Sequence, residues 1–344
     1  MNDFPGIIKA LLSAQPGEGT AVLATLVAVT GSSYRRPGAR LLVTAVGKRI
    51  GSISGGCLEE DVMLRARAVA TTGQPELVTY DTSSENDLVW GVGLGCHGIV
   101  HVLLEPIPSP RPAWVHFLAT QLAARLPTPL AVIWRSTDPS QALGTQLAPA
   151  EPSSQQTLAS VPSQTSTVFL ETITPAPSLI IFGAGDDAQP LAQLAQILSW
   201  HVTIADPRAS FATAARFPTV DRLIVAPAHE LVARIAPESD ACVVVMTHHY
   251  VHDVPILRNL FSYDFPYIGL LGPKKRATRI LADLARDGFI PSPAQLARFH
   301  APIGLDLGAD SPGDVALSIL AEIRAQRSGR DARPLRYRAN PIHD

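Results

Sequence analysis

Leu179-Ile-Ile-Phe-Gly-Ala-Gly-Asp-Asp-Ala188 decides the reading of the C-terminal half of this 344-residue chain. A short apolar run, suited to a buried strand, leads into Gly183-Ala184-Gly185, and a helical pattern over 187–199 begins at once. In that context Gly183 permits a tight turn, Gly185 lets backbone N–H groups approach a pyrophosphate, and Ala188 lets the helix pack close to its strand. Asp206 follows about 20 residues on, at the end of the next apolar run, where a carboxylate can accept hydrogen bonds from ribose hydroxyls.

Working outward, strand patterns at 179–182, 202–205, 222–225, 241–246 and 267–271 alternate with helical patterns at 187–199, 230–235, 254–261, 273–286 and 312–326. Ser311 followed by Pro312 has the form of an N-cap with proline at the first helical position. This rhythm predicts an α/β fold with a Rossmann-like, doubly wound parallel sheet over 178–327. Its ligand edge lies beyond the carboxyl ends of the strands, which places Gly183, Gly185, Asp206, His248 and the basic loop Lys274-Lys275 on one rim. A nucleotide, NAD(P) among them, is the ligand such a rim suits; Asp186 and Asp187 repel a diphosphate, so a scaffold that has changed or lost its ligand is the alternative. The lysines read either as a phosphate site or as surface cations. His248 and His249 are adjacent and lack a third ligand at fixed spacing, so they suggest hydrogen bonding at the rim rather than a metal.

The N-terminal part, 1–135, is an α/β pattern of undetermined topology, with strands at 21–29, 40–45, 100–104 and 130–134 and helices at 4–13, 58–70 and 113–126. Residues 136–177 are rich in Ser, Thr, Gln, Pro and Ala and read as a spacer with ancillary strands, one of them near 167–174; 328–344 reads as a tail. The pointed chemistry is at Ser54-Gly55-Gly56-Cys57, where glycines and a thiol lead into a helix. Glycines let a ligand come against the backbone, while Glu59, Glu60 and Asp61 oppose negative charge on the thiol. Cys57 therefore reads as a ligand contact rather than an activated nucleophile, and a small buried residue in a tight turn is the plainer alternative. Arg35 and Arg36, in a Gly- and Pro-bounded loop, suit a phosphate or carboxylate or else a solvated hairpin tip. Cys96, in the glycine-dense 91–98 turn, is a ligand contact or a packing residue, and Cys242 lies in an apolar strand as core.

Composition excludes much. With 28 Lys+Arg against 30 Asp+Glu, a net charge of -2 and no basic block, nucleic-acid binding is not expected. No apolar run approaches the roughly 20 residues that span a bilayer, so no membrane association is expected. The N-terminus lacks the pattern of a secretory signal, and the chain is expected in the cytoplasm. Three widely spaced cysteines give neither a disulfide framework nor a zinc site. No serine-histidine-acid, HExxH or Walker pattern supports hydrolase or NTPase chemistry.

Several longer motifs carry a resemblance. Thr30-Gly-Ser-Ser33, Arg36-Pro-Gly-Ala39, Ser54-Gly-Gly-Cys-Leu-Glu59 and Gly93-Leu-Gly-Cys96 stand in the first half. Phe182-Gly-Ala-Gly185, Asp206-Pro-Arg208, Arg216-Phe-Pro218, Met246-Thr-His-His249, Tyr267-Ile-Gly-Leu-Leu-Gly-Pro273 and His300-Ala-Pro-Ile-Gly-Leu-Asp-Leu-Gly308 stand in the second. With these the chain resembles the XdhC/CoxI accessory proteins of molybdenum hydroxylases such as xanthine dehydrogenase. The resemblance implies a chaperone that binds the molybdenum cofactor, a phosphate-bearing pterin dithiolene (molybdopterin). It further implies support for sulfuration of that cofactor by a cysteine desulfurase and delivery to the apo molybdenum hydroxylase, with Cys57 as the cofactor contact and a homodimer as the assembly. An NAD(P)-dependent oxidoreductase built on the Gly183 turn is the competing reading, and an adaptor with two vestigial clefts is a third.

Overall fold

A computed structural model describes residues 4–15, 17–81, 98–148, 159–162, 165–235 and 240–339. The chain divides into two compact units, Met1–Pro175 and Ala176–Asp344.

The first unit runs α1 (Phe4–Ser13), β1 (Ala21–Gly31), β2 (Arg40–Val43), β3 (Arg49–Gly51), α2 (Glu59–Thr72), β4 (Glu76–Asp81), β5 (Gly98–Ile107), α3 (Ala113–Ala123), β6 (Thr128–Ser136), β7 (Gly144–Leu147), β8 (Ala159–Pro162) and β9 (Ser166–Ile173). These strands form an antiparallel five-stranded sheet, β3-β2-β1-β5-β4, and an antiparallel four-stranded sheet, β7-β6-β9-β8. The apolar run of β1 is continuous because the strand is covered on both faces. Val22, Ala24 and Leu26 pack with Val62, Ala66 and Val69 of α2. Ala21 and Leu23 meet α1 and α3, and Val27 meets Val132, Trp134 and Phe169 of the second sheet. The stretch expected as a spacer thus holds β7, β8 and β9, with β9 paired along nearly all of β6.

Two buried polar contacts tie these sheets together. Arg40 of β2 lies 4.1 Å over the Phe4 ring and pairs with Glu171 of β9, both side chains buried. Glu105 of β5 accepts from the Thr145 backbone N–H of β7 at 2.6 Å and from the Thr145 hydroxyl. Burial pushes the Glu105 carboxyl above the ordinary glutamate value, against the pull of the Thr145 bonds and the Arg40 charge.

The second unit runs β10 (Ser178–Phe182), α4 (Ala188–Ile197), β11 (His201–Asp206), β12 (Arg222–Val225), α5 (Leu231–Ile235), β13 (Cys242–Val245), α6 (Tyr250–Leu260), β14 (Tyr267–Leu270), α7 (Lys274–Arg286), α8 (Pro293–Ala297), β15 (Phe299–His300) and α9 (Pro312–Ser328). Its sheet is parallel throughout, in the order β12-β11-β10-β13-β14-β15. One face packs on α4 and α9, the other on α5, α6 and α7, which makes the sheet doubly wound. Cys242 is core, and burial raises its thiol pKa. Ser311 caps α9 through a reciprocal box with Asp314, as Ser311-Pro312 predicts. No helix among the described residues is long and apolar enough to cross a membrane.

Candidate functional site

Between β3 and α2 the chain has no ladder to satisfy its backbone, and one carboxylate takes that place. Glu59, the first residue of α2, is buried and turns back into the loop. Its Oε1 accepts from Ser52 Oγ at 2.9 Å, from the Ile53 N–H at 3.2 Å and from the Ser54 N–H at 2.9 Å. Its Oε2 accepts from the Gly56 N–H at 3.1 Å and from the Ser54 hydroxyl, whose oxygen in turn accepts from the Leu58 N–H at 3.1 Å. Burial alone would raise this carboxyl's pKa, but the Ser54 and Ser52 bonds outweigh it and hold Glu59 below the ordinary glutamate value. Tied to the knot through the Gly56 N–H, the tip Gly55-Gly56-Cys57 is exposed along its whole length. A side chain added at Gly56 would meet no atom within 4 Å, so the tip faces open space. Cys57 presents a free thiol there rather than a packed one.

The arginine loop arrives at the same edge. Gly98, at the start of β5, passes so close beneath Ser32 that a Cβ would stand 3.0 Å from the Ser32 backbone nitrogen and carbonyl carbon; only glycine fits. This contact seats the loop after β1, and the Tyr34 ring then lies 3.6 Å from the Cβ position of Gly55. Tyr34 is 66% exposed, so an aromatic face lies beside the Gly55-Gly56-Cys57 tip, and Arg35 and Arg36 follow it directly in the chain. Of the acids expected to oppose charge on Cys57, Glu59 is engaged by the loop and Asp61 accepts from the Tyr80 hydroxyl and from Arg65, each at 2.7 Å. Glu60 alone of the three is exposed. Cys96 lies outside the described residues.

In the second unit the glycine turn stands where the sequence places it, between β10 and α4. Gly183, at φ +118°, lies against the end of β13, with its Cβ position 2.6 Å from the Met246 carbonyl carbon and 2.8 Å from the Thr247 nitrogen. Asp206 is wholly buried, and its donors are all internal. It accepts from the Ala184 N–H at 2.7 Å, the Arg208 N–H at 2.8 Å, Arg208 Nε at 2.9 Å and Arg208 Nη2 at 2.7 Å. Burial opposes this ionisation, but the Arg208 and Ala184 bonds prevail and hold its pKa below the ordinary aspartate value. The acid expected to face a ribose instead ties the glycine turn to the β11 loop. His248 Nε2 lies 2.5 Å from Asp187 Oδ2, whereas His249 Nε2 lies 3.4 Å from Arg208, so the adjacent histidines serve different partners. Lys274 and Lys275 are exposed at the start of α7, beyond the carboxyl end of β14 on the same sheet edge. Two cations that stand in the longer motifs but were not expected at the site are Arg208 and Arg216, which lie 4.0 Å and 5.3 Å from the centre of the Phe211 ring.

Comparison with known proteins agrees with both units. Residues 15–81 match the model of the XdhC and CoxI family, and residues 179–323 match that of the XdhC Rossmann domain. A Bacillus subtilis (strain 168) protein, named as a probable subunit of xanthine dehydrogenase, is 37% identical over 94% of this chain and 97% of its own length. The Escherichia coli (strain K12) molybdenum cofactor insertion chaperone PaoD is 26% identical over 93% of this chain and 86% of its own. A crystal structure from Bacillus halodurans, described as a xanthine dehydrogenase, superposes with a TM-score of 0.78 at 30% identity, covering 98% of this chain and 99% of that one. With the two family models lying on the segments that carry the cysteine turn and the glycine turn, and a relative matched along nearly its full length, the chain belongs to the XdhC and CoxI family.

Proposed function

We propose that this chain is a maturation factor for a molybdenum hydroxylase of the xanthine dehydrogenase type. It binds the molybdenum cofactor as cargo, supports sulfuration of that cargo by a cysteine desulfurase, and delivers it to the apo-hydroxylase. The observation that carries this reading is the exposed Cys57 thiol on a tip whose shape is imposed by a buried carboxylate, beside the Tyr34-Arg35-Arg36 loop. The names borne by the relatives support the same direction.

The residues suit such a cargo. A soft sulfur donor matches a molybdenum dithiolene, two guanidinium groups match its phosphate, and an exposed aromatic face matches a pterin ring. Cys57 holds the metal end while Gly55 and Gly56 let the cargo lie against backbone. Arg35 and Arg36 orient the phosphate. Glu59 keeps the tip extended so that the thiol is offered outward and can be vacated on handover. The carrier works in the cytoplasm as a homodimer, and sedimentation of the purified chain checks the latter.

The deciding experiment is an anaerobic titration of purified protein with molybdenum cofactor, run beside NAD(H), on wild type and Cys57→Ala. Tight cofactor binding that falls at least tenfold in the variant supports the reading. Equal binding in the two proteins, together with full hydroxylase activity in a host carrying Cys57→Ala, removes it.

A further inference from the structure

In a doubly wound sheet the ligand crevice opens where the strand order reverses, here between the carboxyl ends of β10 and β13. The floor of that crevice is shut by the backbone approach of Gly183 to Met246 and Thr247. Its mouth is occupied by the chain's own carboxylates. Asp187 Oδ1 lies 2.7 Å from the Cβ position of Gly185, the glycine whose bare backbone would otherwise meet a pyrophosphate. Asp187 Oδ2 reaches across to His248 Nε2 at 2.5 Å, so a single carboxylate spans the lip after β10 and the lip after β13. His248 holds its place at φ +61°, a left-handed conformation uncommon for a residue with a Cβ. Asp187 makes no side-chain cap to α4, and its side chain is only 18% exposed.

Beside it, Asp186 Oδ1 accepts from Arg216 Nη2 at 2.8 Å, and the same nitrogen donates to the Ala184 carbonyl at 3.1 Å. Arg208, the other cation near the turn, is engaged by Asp206. The two arginines beside the turn are therefore matched from within, and the ribose acceptor is saturated, while Lys274 and Lys275 stand exposed farther along the same sheet edge.

We propose that Asp187 and Asp186 are the specificity-determining residues of the second unit: Asp187, latched by His248, covers Gly185, and Asp186, held by Arg216, adds negative charge at the exposed mouth, so that together they exclude diphosphate-bearing ligands from the glycine turn. This inference concerns the second unit alone and stands apart from the role of Cys57.

The test is calorimetric titration of the full-length protein with inorganic pyrophosphate and, separately, NADH. Wild type is compared with Asp187→Ala, Asp187→Asn and the double variant Asp186→Ala/Asp187→Ala. Wild type should not saturate with either probe at millimolar concentration. The double variant should bind pyrophosphate at least tenfold more tightly, with Asp187→Asn gaining less than Asp187→Ala because it removes charge but keeps bulk. NADH should gain less than pyrophosphate, since Asp206 remains engaged. Micromolar binding of NADH by wild type overturns the proposal, as does a double variant that melts like wild type and gains no affinity for pyrophosphate.

Discussion

Replacing Glu59 by Ala removes the acceptor of five donors while leaving its neighbour Glu60, a second glutamate of the same helical turn, in place. The two serine hydroxyls can rotate to water, but the backbone N–H groups of Ile53, Ser54 and Gly56 are fixed by the chain path and lose their acceptor or the better of two. An orphaned donor costs about 1–3 kcal/mol, and the low end applies because the tip of the loop is next to solvent. Three donors at about 1 kcal/mol each give a loss of about 3 kcal/mol. Glu60→Ala, on an exposed side chain, should stay within about 0.5 kcal/mol. Urea unfolding of the full chain, read as the midpoint shift of the first unit's transition, compares the two directly. The pH axis gives an independent reading. Because the folded Glu59 carboxyl titrates below its ordinary value of 4.5, its contribution is fully present above that pH and is lost as pH falls through the folded value. Glu59→Gln should therefore flatten part of the acid limb of the stability curve. Equal midpoints for Glu59→Ala and Glu60→Ala, or an unchanged acid limb, would refute the claim that this carboxylate builds the loop.

Other perturbations separate architecture from cargo handling. Cys57→Ser should leave stability within about 0.5 kcal/mol, because the side chain is exposed, while cofactor affinity drops at least tenfold; urea midpoints and the anaerobic titration check the pair. Gly183→Ala should cost about 2 kcal/mol or more, since its Cβ would be driven into the Met246-Thr247 backbone, and a lowered melting temperature of the second unit's transition reports it. Arg40→Ala leaves Glu171 buried without its cation and should cost about 3–5 kcal/mol, whereas Arg40→Met with Glu171→Leu should recover most of that in denaturant unfolding.

How much of this was legible in the sequence follows from the range of each interaction. The second unit was readable because its strand, turn and helix are contiguous, and because a parallel sheet covered on both faces writes apolar runs. The helix expected to begin near Val254 starts at Tyr250 instead, since buried Asp253, held by Thr247 Oγ1 at 2.5 Å and Arg276 Nε at 2.9 Å, fixes a turn ahead of Pro255. In the first unit β7 and β8 are short strands in polar surroundings, which no periodicity marks. Spacing located Asp206 at the end of β11, but it could not tell that Arg208, two residues on, would close around it.

Glu59 and Asp187 make the deeper point. Each is an acid placed just after a glycine turn at the start of a helix, a pattern that by itself says only that the charge suits the helix dipole. Glu59 meets backbone N–H groups from its own loop and draws them inward while Gly55, Gly56 and Cys57 stay exposed, so the turn is held and open. Asp187 meets a histidine 61 residues away on another strand's loop, and its carboxylate comes to lie over Gly185, so the turn is held and closed. The same residue class in the same local context thus exposes one glycine turn and covers the other. What distinguishes them is where the donor comes from, and a donor arriving from another strand is a property of the fold that no local motif can carry.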